Sequence, residues 1–567
     1  MTRFFHRHAP LLLANAFCLA ALLPFLNKPF HIDDPMYLWA AQHIRQHPLN
    51  FYGFEVNWYG VSSPMAQVMK NPPLTSYYLA LASLVLGWSE VAMHAALLLP
   101  AMGLVTATFL LAQRLGARPL LAAAATIFTP ATLIAAATVM SDVLMLCLFV
   151  WAIYLWMRGI DDRRRGDLML AALCATAAAL TKYFAVAAIA LMLVYALLQA
   201  RRPGWWIVQL LVPVVLLALY QVWTQRLYGQ GLLFSAAEYA ASDRWREAQS
   251  IGSRIVGSLS FVGGCGITLA LILWLTWPRR AVIASAIGIV VLFLVVSRLA
   301  PGMNLPLGSR AQLAASVAAG VVLLAGCTFI AWRARGAANL TLLIWIAGTL
   351  VFAGVANWTV SGRTILPLVP PAAVLVARGM SMSNLRRPLL AIALGAGIAL
   401  VAAWGDATIA RADRAAALDF ARRSKDYSGN RWFMGHWGFQ WYMEQQGIRA
   451  IDAARNVIEP GDLIFVPIIN TNLIELPEPA VRRIDELSLP GFTWATTADR
   501  RLGAGFYSNL IGPLPLVIGC AEARRYEVYQ AMGRIVLRNP RIGALQSRFK
   551  PVRHRAYVST AARRSTR

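Results

Sequence analysis

About thirteen apolar runs, most of them separated by short polar or basic loops, dominate this sequence of 567 residues. Most have roughly the 17 to 25 residues that an α-helix needs to cross the hydrocarbon core of a bilayer. The expected spans lie near 10–25, 91–113, 119–139, 141–157, 167–181, 183–199, 205–224, 255–276, 281–298, 311–332, 339–359, 364–378 and 388–405. Because lipid cannot satisfy exposed backbone polar groups, such a chain folds as a bundle of transmembrane helices. We therefore predict a polytopic α-helical membrane protein.

The composition excludes an ordinary soluble protein. Hydrophobic residues make up 58% of the chain and charged residues 14%, against about 45 to 50% and about 25% in globular domains. The net charge of +26 would suggest a nucleic-acid partner in a soluble protein. Basic residues at cytoplasmic helix ends produce the same surplus, and no soluble module interleaves aromatic with basic residues. We predict no nucleic-acid partner, and membrane lipids as the surroundings.

Cysteine use argues against redox chemistry and against a structural metal. Five of the six cysteines lie inside apolar runs, where a thiol behaves as a small hydrophobic group. Only Cys520 lies in a polar region, and the sequence has no CxxC motif or Cys/His cluster.

The loops alternate in charge, which predicts their sides of the membrane because Lys and Arg resist translocation. The basic loops carry Arg114 and Arg118, Arg158 with Arg163 to Arg165, Arg201 and Arg202, Arg279 and Arg280, Arg333 and Arg335, and Arg386 and Arg387. We predict that the protein crosses the bacterial inner (plasma) membrane several times. We assign these basic loops and the N-terminus to the cytoplasm. Loop 27–90, the turns at 140–142 and 181–182, and the C-terminal region then face the periplasm.

The composition also predicts the domain organisation. Residues 1–405 form the transmembrane domain, and its large first periplasmic loop, 27–90, contains the run 74–87, which we place in the membrane interface. From about Asp406 the chain turns polar, and strand-like and helical patterns alternate, as at 431–434, 438–446 and 462–467. Residues 406–540 are therefore predicted to form a small periplasmic α/β domain. Residues 541–567, rich in Arg and without acids, are predicted to be a disordered basic tail.

Two adjacent carboxylates, Asp33 and Asp34, follow the first helix. Adjacent acids at a membrane surface repel each other, and such a pair can supply a general base or hold a divalent ion. The alternative is purely structural, since an Asp N-cap with Pro35 at the first position fits a helix over 36–43. Both roles are compatible, and the sequence leaves both open.

Charged residues far apart in the chain fall on the same predicted side. Asp142 lies in a short periplasmic turn, where an ionisable group at membrane depth suggests function, although a helix cap is the alternative. Lys182 and Arg363 lie at periplasmic helix ends, against the usual bias, although a lone Lys there often only snorkels. Lys70 precedes a rigid Asn-Pro-Pro loop and is placed to reach a phosphate. Cations beside carboxylates suggest a site for an anionic ligand and a base.

Five short elements resemble, in order, those of the protein O-mannosyltransferase and aminoarabinose transferase group. The segment 33–37 (Asp-Asp-Pro-Met-Tyr) resembles that group's Asp-Glu-x-x-Tyr element, and 71–78 resembles its Pro-Pro-Leu-x-x-Tyr loop. Ser-Asp at 141–142, Thr-Lys at 181–182 and Ser-Gly-Arg-Thr at the start of 361–370 resemble its Thr-Asp turn, Thr-Lys turn and Arg-bearing helix start. The group consists of GT-C fold glycosyltransferases that use polyprenyl-phosphate sugars. The resemblance implies a GT-C-like fold for this chain.

The resemblance also implies a mechanism and the roles of its residues. Asp33, with Asp34 as the second catalytic carboxylate, would deprotonate an acceptor hydroxyl that attacks the anomeric carbon of the donor in one inverting displacement. Stabilisation of the departing polyprenyl phosphate falls to Lys182, Arg363 and Lys70. The supporting residues are Asp142 and Tyr37.

Several departures from the family pattern leave the substrates open. Asp34 replaces the usual Glu, Met36 stands where aminoarabinose transferases carry Arg, and Asn71 replaces the basic residue before Pro-Pro. The donor sugar, a hexose or a pentose, and the acceptor, a lipid, a glycan or a protein, are therefore unassigned. No cofactor is assigned, and a divalent ion at Asp34 or Asp142 stays an open alternative, since Arg and Lys alone can neutralise a lipid monophosphate.

A multi-pass transporter or lipid flippase is the alternative from another functional class. Such proteins usually show internal repeats and Gly- or Pro-interrupted spans in corresponding halves. The sequence shows neither feature, and its acids and cations collect at one predicted face of the membrane. We therefore prefer the mannosyltransferase-like enzyme.

Overall fold

The computed structural model describes residues 2–200, 204–241, 250–299, 305–380, 385–537 and 554–555. The chain forms two compact units. The first consists of Met1–Asn27, Lys70–Asp406 and Phe492–Ala521, and the second of Lys28–Met69, Ala407–Gly491 and Glu522–Arg567. The predicted basic tail, 541–567, lies outside the described residues apart from 554–555. The predicted domain boundaries stay predictions.

Twenty-one α-helices occur within these described ranges. They are α1 (Thr2–Leu22), α2 (Asp34–Gln46), α3 (Met65–Val68), α4 (Leu74–Leu86), α5 (Glu90–Arg114), α6 (Pro119–Ile127), α7 (Pro130–Ala136), α8 (Asp142–Asp161), α9 (Arg165–Thr181), α10 (Ala187–Gln199), α11 (Trp206–Tyr228), α12 (Leu232–Ala241), α13 (Ile251–Cys265), α14 (Ile267–Thr276), α15 (Arg279–Leu299), α16 (Leu307–Ala334), α17 (Ala337–Val351), α18 (Gly362–Ile365), α19 (Val369–Arg378), α20 (Arg386–Arg423) and α21 (Trp437–Gln445).

Most strands are short, and most lie in the second unit. They are β1 (Glu55–Asn57), β2 (Ser62–Pro64), β3 (Arg431–Phe433), β4 (Arg449–Ala450), β5 (Val457–Ile458), β6 (Leu463–Pro467), β7 (Ile474–Glu475), β8 (Val481–Leu489), β9 (Ala495–Thr496), β10 (Ala498–Asp499), β11 (Ala504–Gly505), β12 (Val517–Ile518), β13 (Arg524–Ala531), β14 (Ile535–Val536) and β15 (His554–Arg555).

The first unit contains the membrane-spanning helices. Counting only the described residues, seven helices are long and apolar enough to cross a membrane, or nine if each of two bent helix pairs is one span. Four further apolar helices have 10–17 residues. The chain is thus a multi-pass helical membrane protein, as predicted, whereas the count of about thirteen spans stays a prediction.

The two bent pairs are α6 with α7, at 63°, and α13 with α14, at 76°. The first bend has a local cause in the sequence. Thr129 accepts a hydrogen bond from the Thr132 N–H (3.3 Å) and so caps α7, while Pro130 occupies its first turn. Proline has no N–H to donate to the preceding turn, so that it favours a new helix start over a continuous helix.

Small residues allow α13 and α16 to approach closely. A Cβ atom built on Gly263 would lie 1.8 Å from the Ser316 carbonyl oxygen, and one on Gly320 would lie 2.2 Å from the Leu259 carbonyl oxygen. Only glycine fits at either position. Within lipid, where the hydrophobic effect does not drive helices together, such close backbone packing is a main source of helix association.

The segment Phe492–Ala521 belongs to the first unit although it lies late in the chain. Its strands form two antiparallel pairs, β9 with β12 and β10 with β11. Buried Leu514 and Val517 from this segment pack against Leu313 and Val317 of α16. The segment therefore shares a hydrophobic core with the membrane helices.

The second unit is built around a five-stranded mixed sheet in the order β4-β3-β6-β13-β8. Strands β4, β3 and β6 are parallel, whereas β13 runs antiparallel to both β6 and β8. The patterns at 431–434, 438–446 and 462–467 were predicted as a strand, a helix and a strand, and they form β3, α21 and β6. The predicted fold class, a polytopic helical membrane protein with a small C-terminal α/β domain, is confirmed.

Residues from the first predicted loop complete the second unit. The Phe30 N–H donates to the Tyr442 hydroxyl (2.8 Å). Gly438 in α21 packs so closely on Phe30 that a Cβ atom there would lie 2.1 Å from the Phe30 carbonyl oxygen. These contacts hold the start of the segment that carries Asp33 and Asp34 against α21.

Candidate active site

Asp142, Lys182 and Arg363 meet in the first unit and form an ion cluster, which we call the Asp142 cluster. Lys182 Nζ donates to Asp142 Oδ1 (2.5 Å), and Arg363 Nε donates to Asp142 Oδ2 (2.8 Å). The Asp142 side chain is 1% exposed, and those of Lys182 and Arg363 are 17% and 12% exposed. Three charges separated widely in sequence therefore converge on one site.

The helix pair α8 and α9 explains why Asp142 and Lys182 lie together. The two helices have similar lengths, 20 and 17 residues, and a short turn joins them. Asp142 begins α8, and Lys182 directly follows the last residue of α9. An antiparallel pair of matched length brings these two positions to the same end. At the other end, Arg158 of α8 binds Asp167 of α9 at 2.6 Å.

The alternative role of Asp142, as a helix cap, does not account for its contacts. Ser141, not Asp142, occupies the N-cap position of α8, and its side chain makes no capping hydrogen bond. Asp142 is the first helical residue, where the helix dipole favours a negative charge. Both carboxylate oxygens accept hydrogen bonds from cationic side chains, which offsets the cost of burying the charge at this depth.

A capping box and a buried aromatic ring position Arg363. Ser361 and Thr364 cap α18 reciprocally, with the Thr364 N–H donating to Ser361 Oγ (3.1 Å) and the Ser361 N–H to Thr364 Oγ1 (2.9 Å). The Gly362 N–H donates to the Phe506 carbonyl oxygen (2.7 Å), and a Cβ atom on Gly362 would lie 2.2 Å from the Phe506 ring. The helix turn that carries Arg363 is thus fixed on both sides.

The segment Phe492–Ala521 supports the turn that carries Arg363, a role that was not predicted from the sequence. Two hydrogen bonds join Asn509 to Val360. The Asn509 N–H donates to the Val360 carbonyl oxygen (2.8 Å), and the Val360 N–H donates to Asn509 Oδ1 (3.0 Å). Asp406, fully buried, accepts hydrogen bonds from Thr497 (2.6 Å) and Tyr507 (2.9 Å). The Ser-x-x-Thr spacing at Ser361 is a sequence pattern that could have predicted the helix cap. No sequence pattern indicated that residues 492–521 contact this turn.

Lys70 also lies in the first unit, where it begins the segment Lys70–Asp406. Its Nζ donates to Ser235 Oγ at 3.4 Å and lies 5.6 Å from the centre of the Tyr239 ring. Both partners belong to α12. The role of Lys70 as a phosphate ligand stays a prediction.

Asp33, Asp34 and Tyr37 belong to the second unit. Helix α2 begins at Asp34, and Asp33 occupies its N-cap position without making a capping hydrogen bond with its side chain. Asp34 is fully buried, and its Oδ2 accepts the His31 N–H (2.8 Å). Ile32, which follows His31, has a positive φ of 47°. The structural alternative placed an Asp N-cap directly before Pro35, but the helix begins one residue earlier, at Asp34, and no side chain caps it. The catalytic role of Asp33 stays a prediction.

A buried polar pair lies elsewhere in the second unit. His436 is 3% exposed, and its Nδ1 lies 3.0 Å from Gln440 Oε1. The Gln440 amide donates to the Asn57 carbonyl oxygen (2.9 Å), and the Trp58 ring packs against the His436 ring at 5.5 Å. Burial lowers the pKa of His436 to about 4, so the imidazole is neutral at physiological pH.

The donor set of the Asp142 cluster does not suit a divalent ion. Cationic side chains occupy both oxygens of Asp142, and a metal would have to displace them. In the part of the chain that the structure describes, no group of three or more His, Cys, Asp or Glu residues could hold a metal ion.

Comparison with known proteins gives one family match. Residues 70–226 match the model of the dolichyl-phosphate-mannose-protein mannosyltransferase family. This range includes Asp142 and Lys182 and begins at Lys70, whereas Asp33 and Arg363 lie outside it. No curated protein matches this chain in sequence. The family match confirms the resemblance predicted from the sequence.

Solved structures that are similar to this chain include those of ArnT and AglB. ArnT from Cupriavidus metallidurans, bound to undecaprenyl phosphate, is 15% identical, with a TM-score of 0.43 over 81% of this chain and 93% of that one. AglB from Archaeoglobus fulgidus, in complex with an inhibitory peptide and a dolichol-phosphate, is 14% identical, with a TM-score of 0.46 over 79% of this chain and 64% of that one.

Proposed function

We propose that this chain is an inverting glycosyltransferase that moves a sugar from a polyprenyl-phosphate donor to an acceptor at the periplasmic face of the bacterial inner membrane. The observation that carries the proposal is the Asp142 cluster, which lies in the unit whose residues 70–226 match a family named for a lipid-phosphate-sugar donor. A hexose or pentose donor and a lipid, glycan or protein acceptor are compatible with it.

The Asp142 cluster supplies the chemistry that the leaving group requires. Asp142, Lys182 and Arg363 together carry one net positive charge in a largely water-excluded setting. A phosphate offers oxygens like those of the carboxylate that the two cations already bind, and such charge-assisted hydrogen bonds are strong. As the bond between the anomeric carbon and the phosphate oxygen breaks, its electron pair stays on the phosphate, and the two cations stabilise that negative charge.

Asp33 is the proposed general base. It takes the proton of the acceptor hydroxyl, whose oxygen forms the new bond to the anomeric carbon as the phosphate leaves. A single displacement inverts that carbon and needs no covalent sugar-enzyme intermediate. The neighbouring Asp34 is the second carboxylate, fixed by its hydrogen bond from the His31 N–H, while Tyr37 supports the segment and Lys70 contacts the donor phosphate.

The test measures sugar transfer by the purified full-length protein from a polyprenyl-phosphate mannose donor, or a pentose analogue, to a supplied acceptor. Asp33→Asn is expected to lower kcat by roughly a hundredfold or more, the usual range for loss of a general base. Lys182→Met is expected to raise KM for the donor roughly tenfold to a hundredfold, since one hydrogen bond to a charged group is lost.

Arg158→Met is the matched control. Arg158 also forms an ion pair between α8 and α9, but at the opposite end from Lys182, so that its loss tests the helix pair without touching the proposed site. Full turnover by Asp33→Asn would remove Asp33 from the base role. If Lys182→Met and Arg158→Met showed the same donor KM as the wild type, the phosphate assignment would be wrong.

A further inference from the structure

A polar cavity lies in the first unit, at the end of α8 opposite Asp142. It has a volume of about 610 Å³, and its lining includes Arg114, Asp161, Arg335 and Arg378. The lining residues of α8, Tyr154 and Asp161, follow Asp142 by 12 and 19 residues, so they lie about 18 to 29 Å further along the helix. The cavity is therefore distinct from the proposed donor site and falls at the other membrane face.

The position of this cavity agrees with the charge pattern of the sequence. The C-terminal ends of α5, α8, α10, α16 and α19 contribute to its lining. The loops that follow α5, α8 and α16 are among the basic loops assigned to the cytoplasm. Their convergence on one cavity shows that these three loops lie at the same end of the helices.

The cavity lining carries more cations than anions. Three of its lining residues are arginines, and Asp161 is its single lining carboxylate. Asp161 is already bound, to Arg114 at 3.0 Å and to the Tyr195 hydroxyl at 2.7 Å. Within the described ranges Arg335 has no acidic partner, and Arg378 donates to the neutral Asn339 Oδ1 at 3.0 Å. Two positive charges therefore face the cavity without a compensating carboxylate.

The start of α17 adds backbone donors to the same cavity. Gly336, at the N-cap with φ 101°, Ala337 and Ala338 all line it, and no side chain caps this helix. The first N–H groups of a helix have no intrahelical acceptor, and together with the helix dipole they favour an anion. Arg335, which directly precedes Gly336, also has a positive φ of 38°, so that the turn is held in an unusual conformation beside these donors.

We propose that this cavity binds a phosphate-bearing anion at the face of the membrane opposite the donor site. Arginine pairs well with phosphate because its planar guanidinium offers paired donors. Basic pockets between transmembrane helices on the cytoplasmic side are also typical sites for anionic lipid head groups. The volume exceeds that of one phosphate, and the Tyr154 hydroxyl and the Gln113 and Gln199 amides of the lining suit the hydroxyls of a glycerol or similar head group. The phosphate chemistry is common to an anionic phospholipid and to a soluble phosphate ester.

The experiment separates these two sources. Full-length protein is reconstituted in nanodiscs of phosphatidylcholine with or without phosphatidylglycerol, and binding is followed by native mass spectrometry and by the shift in thermal midpoint. In a separate arm, glycerol 3-phosphate is titrated into phosphatidylcholine nanodiscs. The variants are Arg335→Gln alone and Arg335→Gln with Arg378→Gln. The control is Arg333→Gln, which is exposed near the same end of α16, contacts Phe329 and does not line the cavity.

The expected result is at least tenfold weaker binding of one probe by the double variant, a smaller loss for Arg335→Gln, and unchanged binding by Arg333→Gln. If phosphatidylglycerol shows this pattern, the ligand is a lipid head group; if only glycerol 3-phosphate shows it, the ligand is a soluble phosphate ester. The proposal is overturned if neither probe binds, or if the double variant binds both as the wild type does. Because binding alone is measured, the outcome does not depend on sugar transfer.

Discussion

Asp142→Asn is the substitution that most directly tests the electrostatics of the Asp142 cluster. The change keeps the size of the side chain but removes a charge that is 1% exposed and bound by two cations at 2.5 and 2.8 Å. Lys182 and Arg363 are then left without their shared partner in a largely buried setting. Removing one member of a buried ion pair costs about 3 to 5 kcal/mol, and we expect a loss of that size here.

A ligand that replaces the lost charge should recover much of this stability. A phosphate at 100 times its Kd adds about 2.7 kcal/mol to the free energy of unfolding. In the wild-type protein the Asp142 carboxylate would repel a phosphate bound at the proposed donor site, and in the variant this repulsion is absent. Undecaprenyl phosphate should therefore stabilise Asp142→Asn more than it stabilises the wild type.

The assay is SDS-titrated unfolding in detergent micelles, with and without undecaprenyl phosphate. Asp167→Asn is the matched control because it removes an ion pair between the same two helices at their other end, where the side chains of Arg158 and Asp167 are 28% and 15% exposed. Because this pair is less buried than Asp142, its loss should cost less, closer to the value of about 1 kcal/mol that exposed pairs contribute. Equal losses in Asp142→Asn and Asp167→Asn, or equal stabilisation of wild type and Asp142→Asn by the lipid, would refute the reasoning.

Three further predictions follow from the structure. Gly362→Ala places a methyl group 2.2 Å from the Phe506 ring and should destabilise the protein by about 1 to 3 kcal/mol. Ser361→Ala removes a helix cap but adds no bulk, and it should destabilise the protein by about 1 kcal/mol. The SDS titration described above measures both losses. Burial lowers the pKa of His436 to about 4, below the 6.5 of an unfolded chain, so that the unfolded state takes up the proton first. Its stabilising contribution is complete above about pH 6.5 and should fall by about 3 kcal/mol as the pH approaches 4; tryptophan fluorescence against pH should show a weaker pH dependence in His436→Gln. Cys520 is exposed, whereas the other cysteines are buried or half-buried, so a membrane-impermeant maleimide should label intact spheroplasts at Cys520 if the C-terminal region is periplasmic, and only after lysis if it is cytoplasmic.

The sequence predicted the meeting of Asp142 and Lys182 from local information. The charge alternation placed both turns on one side, and apolar runs of similar length between them formed the antiparallel pair α8 and α9. Arg363 was placed on that side by the same alternation. Helix length and loop charge thus carried most of the information about the Asp142 cluster.

The support of Arg363 could not be predicted in this way. The contacts from Phe506 and Asn509 to Gly362 and Val360 join positions about 145 residues apart, and neither periodicity nor charge encodes such a pairing. The segment Phe492–Ala521 looked like part of a polar domain because its short strands have the composition of that domain. Tertiary packing, which composition does not report, assigned it to the membrane helices.

The hydrogen bond from Gly362 to Phe506 has a consequence for biosynthesis. The turn bearing Arg363 is anchored by residues that leave the ribosome long after the helices around it have been inserted. A nascent chain stalled before residue 492 would contain Asp142, Lys182 and Arg363 but lack that anchor. We therefore expect the proposed phosphate site to form only after residues 492–521 have been made, so that chains stalled before residue 492 bind donor lipid poorly.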